Sequence, residues 1–368
     1  MNPLALPSHM NDLQTVLKGL DWHALEHEVA QEAQTRLVIV GPVNSGKSTL
    51  FNRLHGQRVS AVSAVPGTTK GVVEHPLGPF HLVDTPGFGE VWGTDRAAIA
   101  EEAAQAADLI LLLLDAAAGV RQHDRDLYAE LQRFGRPIIV ALNKADLVAK
   151  DLPWVLENAE KVLGLRPIPV SARTGKGITE MLLPAILQAQ PALAIAMARE
   201  LPGVRAQIVT RIIRQTAWFN AAISIQPIPG LDIPILLASQ TRMVLRIAAA
   251  YGESMRVSHA RELLTAIAGS LLSRYLGMQL AKLVPVLGWV VSSVVSATST
   301  YAMGETARRY FEAGGNVRTP DLQALYQRWR KLSPWNLLRR KSRTAQVAPE
   351  ALFAQELEIP SQASQTEK

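Results

Sequence analysis

Five short apolar runs alternate with helical segments through the first half of the chain, and this alternation limits the fold more than any other feature. "RLVIVG" (36–41), "FHLVDT" (80–85), "LILLLLD" (109–115), "PIIVALN" (137–143) and "RPIPVSA" (166–172) are apolar nearly throughout. Strands covered by helices on both faces have this composition, whereas half-exposed strands alternate apolar with polar residues. Helical segments are expected between the runs at about 47–55, 95–107, 122–134, 151–164 and 177–190. The pattern predicts an α/β domain over 35–190 with a mainly parallel sheet. In such sheets the chemistry gathers at the carboxyl ends of the strands.

From about 191 the alternation stops. Residues 191–223, 232–251, 257–281, 284–312 and 320–331 have helical character, which predicts an all-α domain over 191–331. Leu13, Leu17, Leu20, Leu25 and Val29 place an amphipathic helix within an N-terminal segment, 1–34. The remainder, 332–368, is a basic stretch followed by a tail of disordered composition. The 368 residues suffice for two cores. The net charge of +6 conceals a split, with 17 Lys/Arg and 21 Asp/Glu in 1–190 against 21 and 11 in 191–368. The basic half is therefore the one to match with an anionic partner. With no cysteine, disulfides and thiolate metal sites are excluded. The N-terminus has no basic region followed by an apolar core, so a cleaved secretory signal is not expected.

Every motif with chemical content begins at a strand end. "GPVNSGKST" (Gly41–Thr49) follows the first strand and opens a helix. Gly41 and Gly46 let backbone amides wrap a polyphosphate, Lys47 reaches the β and γ phosphates, and Ser48 offers a hydroxyl to Mg²⁺. Asn44, Ser45 and Thr49 complete the loop. "DTPG" (84–87) ends the second run, where Asp84 would hold Mg²⁺ through water and the Gly87 amide would meet the γ-phosphate. "NKAD" (Asn143, Lys144, Ala145, Asp146) ends the fourth. A carboxylate there accepts both the N1–H and the exocyclic amine of guanine, a donor pair that adenine lacks. "SAR" follows the fifth run, where Ser171 and the Ala172 amide would face guanine O6. Arg121 and Arg125 fit a solvated helix face, and His23 with His27 lacks a third metal ligand nearby.

With these motifs in order, residues 35–190 resemble the P-loop GTPases of the Era-like group, which includes the TrmE and EngA families. "PGTTKG" (66–71) resembles that group's first switch motif, which implies that Thr69 completes the Mg²⁺ site with Thr68 beside it. Lys70 and Gly71 depart from the Arg-Asp that usually follows. The resemblance implies a GTPase in which Lys47, Thr69 and Gly87 serve hydrolysis and Ser48, Thr69 and Asp84 hold the metal. Phe88 stands where Ras-like enzymes place a water-orienting glutamine, and an aromatic ring cannot orient water by hydrogen bonding. Asn44 matches the asparagine that helps hold K⁺ in the TrmE-like pattern, alongside the alternative of an ordinary turn residue. A cation there supplies charge where an arginine finger otherwise would.

Leu283–Gly304 carries no charge across 22 residues. As a helix it spans about 33 Å, enough for a hydrocarbon core of about 30 Å. Six Ser and Thr residues, together with Pro285 and Gly288, leave a buried helical hairpin equally allowed. Downstream, Arg328, Arg330, Lys331, Arg339, Arg340, Lys341 and Arg343 stand beside Trp329 and Trp335, in a segment (322–349) without a single acid. That composition suits an anionic lipid surface, RNA, or a solvated tail. "PIPGLDIPILLASQTRMVLRIAAAYG" (227–252) and "VPVLGWVVSSVVSATSTYAMGETARRYFEAGG" (284–315) resemble the YcjF-type domain of unknown function, often described as membrane-associated. The leading expectation is a cytoplasmic, GTP-hydrolysing switch, Mg²⁺-dependent and K⁺-stimulated, whose helical domain sits at the cytoplasmic face of a membrane. Its partners would be guanine nucleotide (GTP/GDP), membrane lipid and a second copy paired through the GTP-binding domains. The alternatives are a ribosome- or RNA-binding assembly GTPase and a nucleotide-controlled membrane scaffold.

Overall fold

The computed structural model describes residues 21–57, 80–85, 102–225, 232–252, 287–314 and 324. In chain order they form α1 (Trp22–Glu32), β1 (Leu37–Pro42), α2 (Lys47–His55), β2 (Phe80–Thr85), β3 (Leu109–Asp115), α3 (Gln122–Gln132) and β4 (Ile138–Asn143). There follow α4 (Leu152–Leu163), β5 (Ile168–Pro169), a π-helical turn (Ile178–Leu182), α5 (Leu183–Ala189), α6 (Leu193–Glu200), α7 (Pro202–Ile223), α8 (Asp232–Ala250) and α9 (Leu287–Glu312). Two compact units result. One holds 35–193; the other joins 21–34 to the described residues from 194 onward.

The first unit is built on a parallel five-stranded sheet of order β2-β1-β3-β4-β5. All five apolar runs are its strands. β3 is the centre, and Leu109 to Leu114 are buried without exception, as a strand covered on both faces requires. Pro167 and Pro169 lack backbone donors, which confines the fifth run to two paired residues at the sheet edge. The Asp108 carboxylate accepts the Arg36 amide at 2.8 Å and ties the starts of β1 and β3. Gly41 pairs with Asp84, and Asp115 with Asn143, so the motif-bearing strand ends align at one edge of the sheet.

In the second unit α7, α8 and α9 pack together, with α1 on α8. The expected single helix over 191–223 is two, because Pro202 disfavours helical geometry at Leu201 (φ −118°, ψ 80°). Glu32 of α1 accepts from Arg242 at 2.9 Å and Arg246 at 2.8 Å. The N-terminal helix, set apart in the sequence reading, thus lies within the helical unit.

Most of the uncharged 283–304 stretch lies in α9, whose hydroxyls point inward. Thr300 Oγ1 accepts from Asn220 Nδ2 of α7 (2.9 Å) and Gln240 Nε2 of α8 (3.0 Å), and all three residues are buried. Ser239 Oγ donates to Asn220 Oδ1 at 2.6 Å, and Ser296 Oγ to the Asn220 carbonyl at 3.2 Å. Lower down, Gly304 admits Ile213, which would lie 2.7 Å from any Cβ at that position. This is a polar seam inside a helical core. Among the described residues no helix is long and apolar enough to cross a membrane. Residues 283–286, the expected helix at 257–281 and the basic 328–343 segment lie outside the described residues.

Candidate functional site

The loop between β1 and α2 enters the left-handed region at Asn44 (φ 67°) and again at Gly46 (φ 95°). Gly46 is fixed twice over: its conformation disfavours a side chain, and a Cβ there would sit 2.2 Å from Asn143 Nδ2. At Gly41 a Cβ would meet the Leu113 carbonyl at 2.2 Å, so the base of the loop presses directly on β3. The first amides of α2 have no intrahelical acceptor and carry the positive end of the helix dipole, which makes the loop an anion cradle. Lys47 is 5% exposed, and its Nζ donates to the carbonyls of Gly41 (2.6 Å) and Pro42 (2.9 Å). Ser45 Oγ is buried with no hydrogen-bond partner among the described residues. Ser48 and Thr49 are half-buried on the first turn of α2, while the Asn44 side chain is exposed.

On the metal side, Ser48 is the second residue of α2 and the Asp84 backbone pairs with Gly41. A hydroxyl and a carboxylate are hard oxygen donors. Mg²⁺ takes one or two such protein ligands and keeps water and phosphate oxygens for the rest, so the residue types at 48 and 84 are ones that suit the ion. No cluster of three or more His, Asp or Glu competes with it among the described residues. Thr68, Thr69, Gly87 and Phe88 lie outside the described residues.

The base side is assembled by Asn143, which is 2% exposed. Its Nδ2 donates to the Ser45 carbonyl at 2.8 Å, and its Oδ1 accepts from the Ala172 amide at 2.9 Å. The side chain is thus a strut between the phosphate loop and the loop after β5. The Ala172 amide, expected on guanine O6, already serves Asn143, so a base oxygen would share it. Lys144 sits at φ 63° and pairs with Asp115 at 2.6 Å, which locks the turn after β4. Asp146 presents a carboxylate whose side chain is 2% exposed, with Arg173 Nε at 3.0 Å and a terminal guanidinium nitrogen at 2.5 Å from Oδ2. Burial opposes its charge. Hydrogen bonds from Ser171 and Arg173, with the positive charge of Arg173, outweigh burial and hold the carboxyl below its ordinary value of 3.8.

Gly46, Thr49, Asn143, Asp146, Leu147 and Arg173 are among the residues that line one cleft of about 260 Å³. Two features, one in its wall and one behind it, have no signal in the motifs. Leu147, 62% exposed, offers an apolar wall at the base end. Arg53, from the last turn of α2, donates Nε to the Ala172 carbonyl at 3.1 Å and a terminal nitrogen to the Arg173 carbonyl. No local signal marks that contact, which joins positions 119 residues apart. Outside the site, Arg121 is exposed at the cap before α3, Arg125 is exposed on α3, and His23 and His27 are exposed on α1. Tyr310 is buried edge-on to Phe311.

Residues 36–144 match the family model of the 50S ribosome-binding GTPase. Residues 188–333 match that of a domain of unknown function, DUF697. The tRNA modification GTPase MnmE of Moorella thermoacetica is 35% identical over 188 residues, 48% of this chain and 40% of that protein. GTPase Der of Azoarcus sp. is 36% identical over 208 residues, 54% of this chain and 46% of that protein. The chain therefore spans less than half the length of these curated relatives. Among solved structures, Era of Aquifex aeolicus bound to GDP and aluminium fluoride is 28% identical, with a TM-score of 0.35 over 50% of this chain and 66% of that one.

Proposed function

We propose that this chain, which matches a GTPase family model over 36–144 and a domain of unknown function over 188–333, is a GTP-hydrolysing switch whose helical domain attaches it to a membrane. The GTP-binding domain occupies about 35–190 and the helical domain 191–331. One observation carries the nucleotide reading: Asp146, a sheltered carboxylate kept ionised, lines the cleft that Gly46 and Thr49 of the phosphate loop also line. A charged acceptor in a sheltered cleft selects a base with two adjacent donors and rejects adenine, which would leave it unpaired.

In hydrolysis, the amides of Gly46 to Ser48 and the Lys47 ammonium hold the β and γ phosphates and stabilise the charge that develops on them. Bound Mg²⁺, held by Ser48, Asp84 and Thr69, would supply further charge neutralisation. By its motif, Gly87 would offer its amide to the γ-phosphate. Phe88 leaves the water without a side-chain acceptor at that position, so hydrolysis is slow unless a cation at Asn44, or pairing of two GTP-binding domains, completes the site. The left-handed turn at Asn44 and its exposed side chain support this role. Steady-state phosphate release in matched KCl and NaCl, with and without EDTA, tests it. The expectation is Mg²⁺-dependent turnover that is faster in KCl. Equal rates in the two salts, unchanged in Asn44→Ala, would refute the role of the cation.

The membrane reading is supported by one end of the helical unit. Asn220 contacts Thr300 and Ser239, whereas Arg205 at the start of α7 lies over the Tyr251 ring after α8. The carboxyl end of α7 therefore lies with the amino ends of α8 and α9. Trp218, Phe219, Ile225, Ile235, Val290 and Val291 are all about half-exposed toward that end. Anionic vesicles should sediment the full chain at low salt. The 50S ribosome-binding description of the matched family favours a second reading, in which the protein stays with ribosomes and ignores vesicles.

A further inference from the structure

On the reading above, a nucleotide would be held at two places that belong to different parts of the sheet: a phosphate loop between β1 and α2, and a base side made by the turn after β4, which carries Asp146, and the loop after β5. Discrimination between bases needs the second to be fixed relative to the first, because an acceptor misplaced by an ångström loses its hydrogen bonds. The structure provides two ties. Asn143 bridges the Ser45 carbonyl and the Ala172 amide from beneath. Arg53 reaches from α2 to the carbonyls of Ala172 and Arg173. The Ala172 residue is thereby gripped at its N–H by one side chain and at its C=O by the other.

We infer that Arg53 is a positioning residue for base recognition, which links the helix that carries Lys47 and Ser48 to the loop that reads guanine. The inference rests on the nucleotide reading given above. Arg53 touches neither the phosphate loop nor Asp146; it acts through its neighbours on the base loop. Ser171 and Arg173, which flank the gripped Ala172, are the two residues whose hydrogen bonds hold Asp146 ionised. A guanidinium suits the task because its planar fork spans two carbonyls, whereas an ammonium concentrates its donors at one point. Without the fork, Ala172 keeps only the Asn143 bond and the carbonyls of Ala172 and Arg173 lose their tie to α2, while the loop keeps its internal bonds from the Ser171 amide to the Lys176 carbonyl (2.9 Å) and from the Gly175 amide to the Ser171 carbonyl (2.7 Å). The phosphate loop keeps its own bonds: Lys47 to Gly41 and Pro42, and Ser45 to Asn143.

The test compares two ligands on the full chain by calorimetry with Mg²⁺: GDP, which uses both loops, and inorganic tripolyphosphate, which uses the phosphate loop alone. Arg53→Ala should weaken GDP about tenfold or more, the loss of two charge-assisted hydrogen bonds, while tripolyphosphate changes less than about twofold. Arg53→Lys, able to make one of the two bonds, should recover part of the GDP affinity. Equal losses for both ligands would overturn the inference and make Arg53 a prop of α2. GDP affinity within about twofold of the wild type would overturn it too. If the wild type holds tripolyphosphate but not GDP, the nucleotide reading itself has failed, a result distinct from either outcome in the variants.

Discussion

Gly46 shows most sharply how one residue serves the site. Gly46→Ala forces a methyl group to within 2.2 Å of Asn143 Nδ2 at a φ of 95°, where left-handed geometry alone costs about 1–2 kcal/mol. The strut to Ser45 must break, and GDP binding by the full chain should be lost in a fluorescent-nucleotide assay. At Asp146 the expected change is of preference. Asp146→Asn turns an acceptor oxygen into a donor, so guanine nucleotides should weaken roughly 100-fold or more and xanthine nucleotides should gain. The pH dependence follows from the sign of the shift. The Asp146 pKa lies below 3.8, so the carboxylate is present above that value, and GDP binding should weaken only as pH falls through the depressed pKa. Arg173→Ala removes one of the groups that depress it and should move this acid limb upward, read as GDP affinity against pH.

Among the elements, the polar seam of the helical unit makes the plainest energetic claim. Thr300→Val leaves Asn220 Nδ2 and Gln240 Nε2 without their acceptor, at a cost of about 1–3 kcal/mol, whereas Thr300→Ser keeps it. The urea midpoint of the helical transition should therefore fall in the first variant and hold in the second. The same unit contains Tyr251, whose hydroxyl burial, with Glu312 beside it, pushes up to about 12 from 10. A raised pKa stabilises the folded state below the unfolded value of 10, and that stability is lost as pH rises towards 12. Thermal unfolding should show this loss between those pH values, diminished in Tyr251→Phe. These elements also mark what a sequence discloses. The five strands, and the positions of the loops after β1, β4 and β5, were legible because burial on both faces and turn chemistry are local signals. The break at Pro202 was equally local, a Pro-Gly pair flanked by Arg199, Glu200 and Arg205 within a helical pattern. The seam in α9 was ambiguous because an uncharged stretch rich in hydroxyls satisfies both a membrane and a buried core, and only Asn220 and Gln240, on other helices, decide between them. The Arg53 tie spans 119 residues and had no local trace.

On the scale of the whole chain, residues 1–190 carry 21 acids against 17 bases and residues 191–368 carry 11 against 21, so the excess of positive charge lies in the second half. Attachment to an anionic surface should then have two separable parts, since salt screens exposed charge but leaves apolar contact intact. Neutralising Arg339, Arg340, Lys341 and Arg343 should weaken vesicle sedimentation without abolishing it. All of this presumes that the cleft holds a guanine nucleotide, and displacement of labelled GDP from the full chain by unlabelled GTP and ATP, in Mg²⁺, measures that premise most directly. GTP should displace the label at low concentration, and ATP should fail even in large excess, because adenine leaves the Asp146 carboxylate unpaired. Displacement by ATP as effective as by GTP would contradict the account.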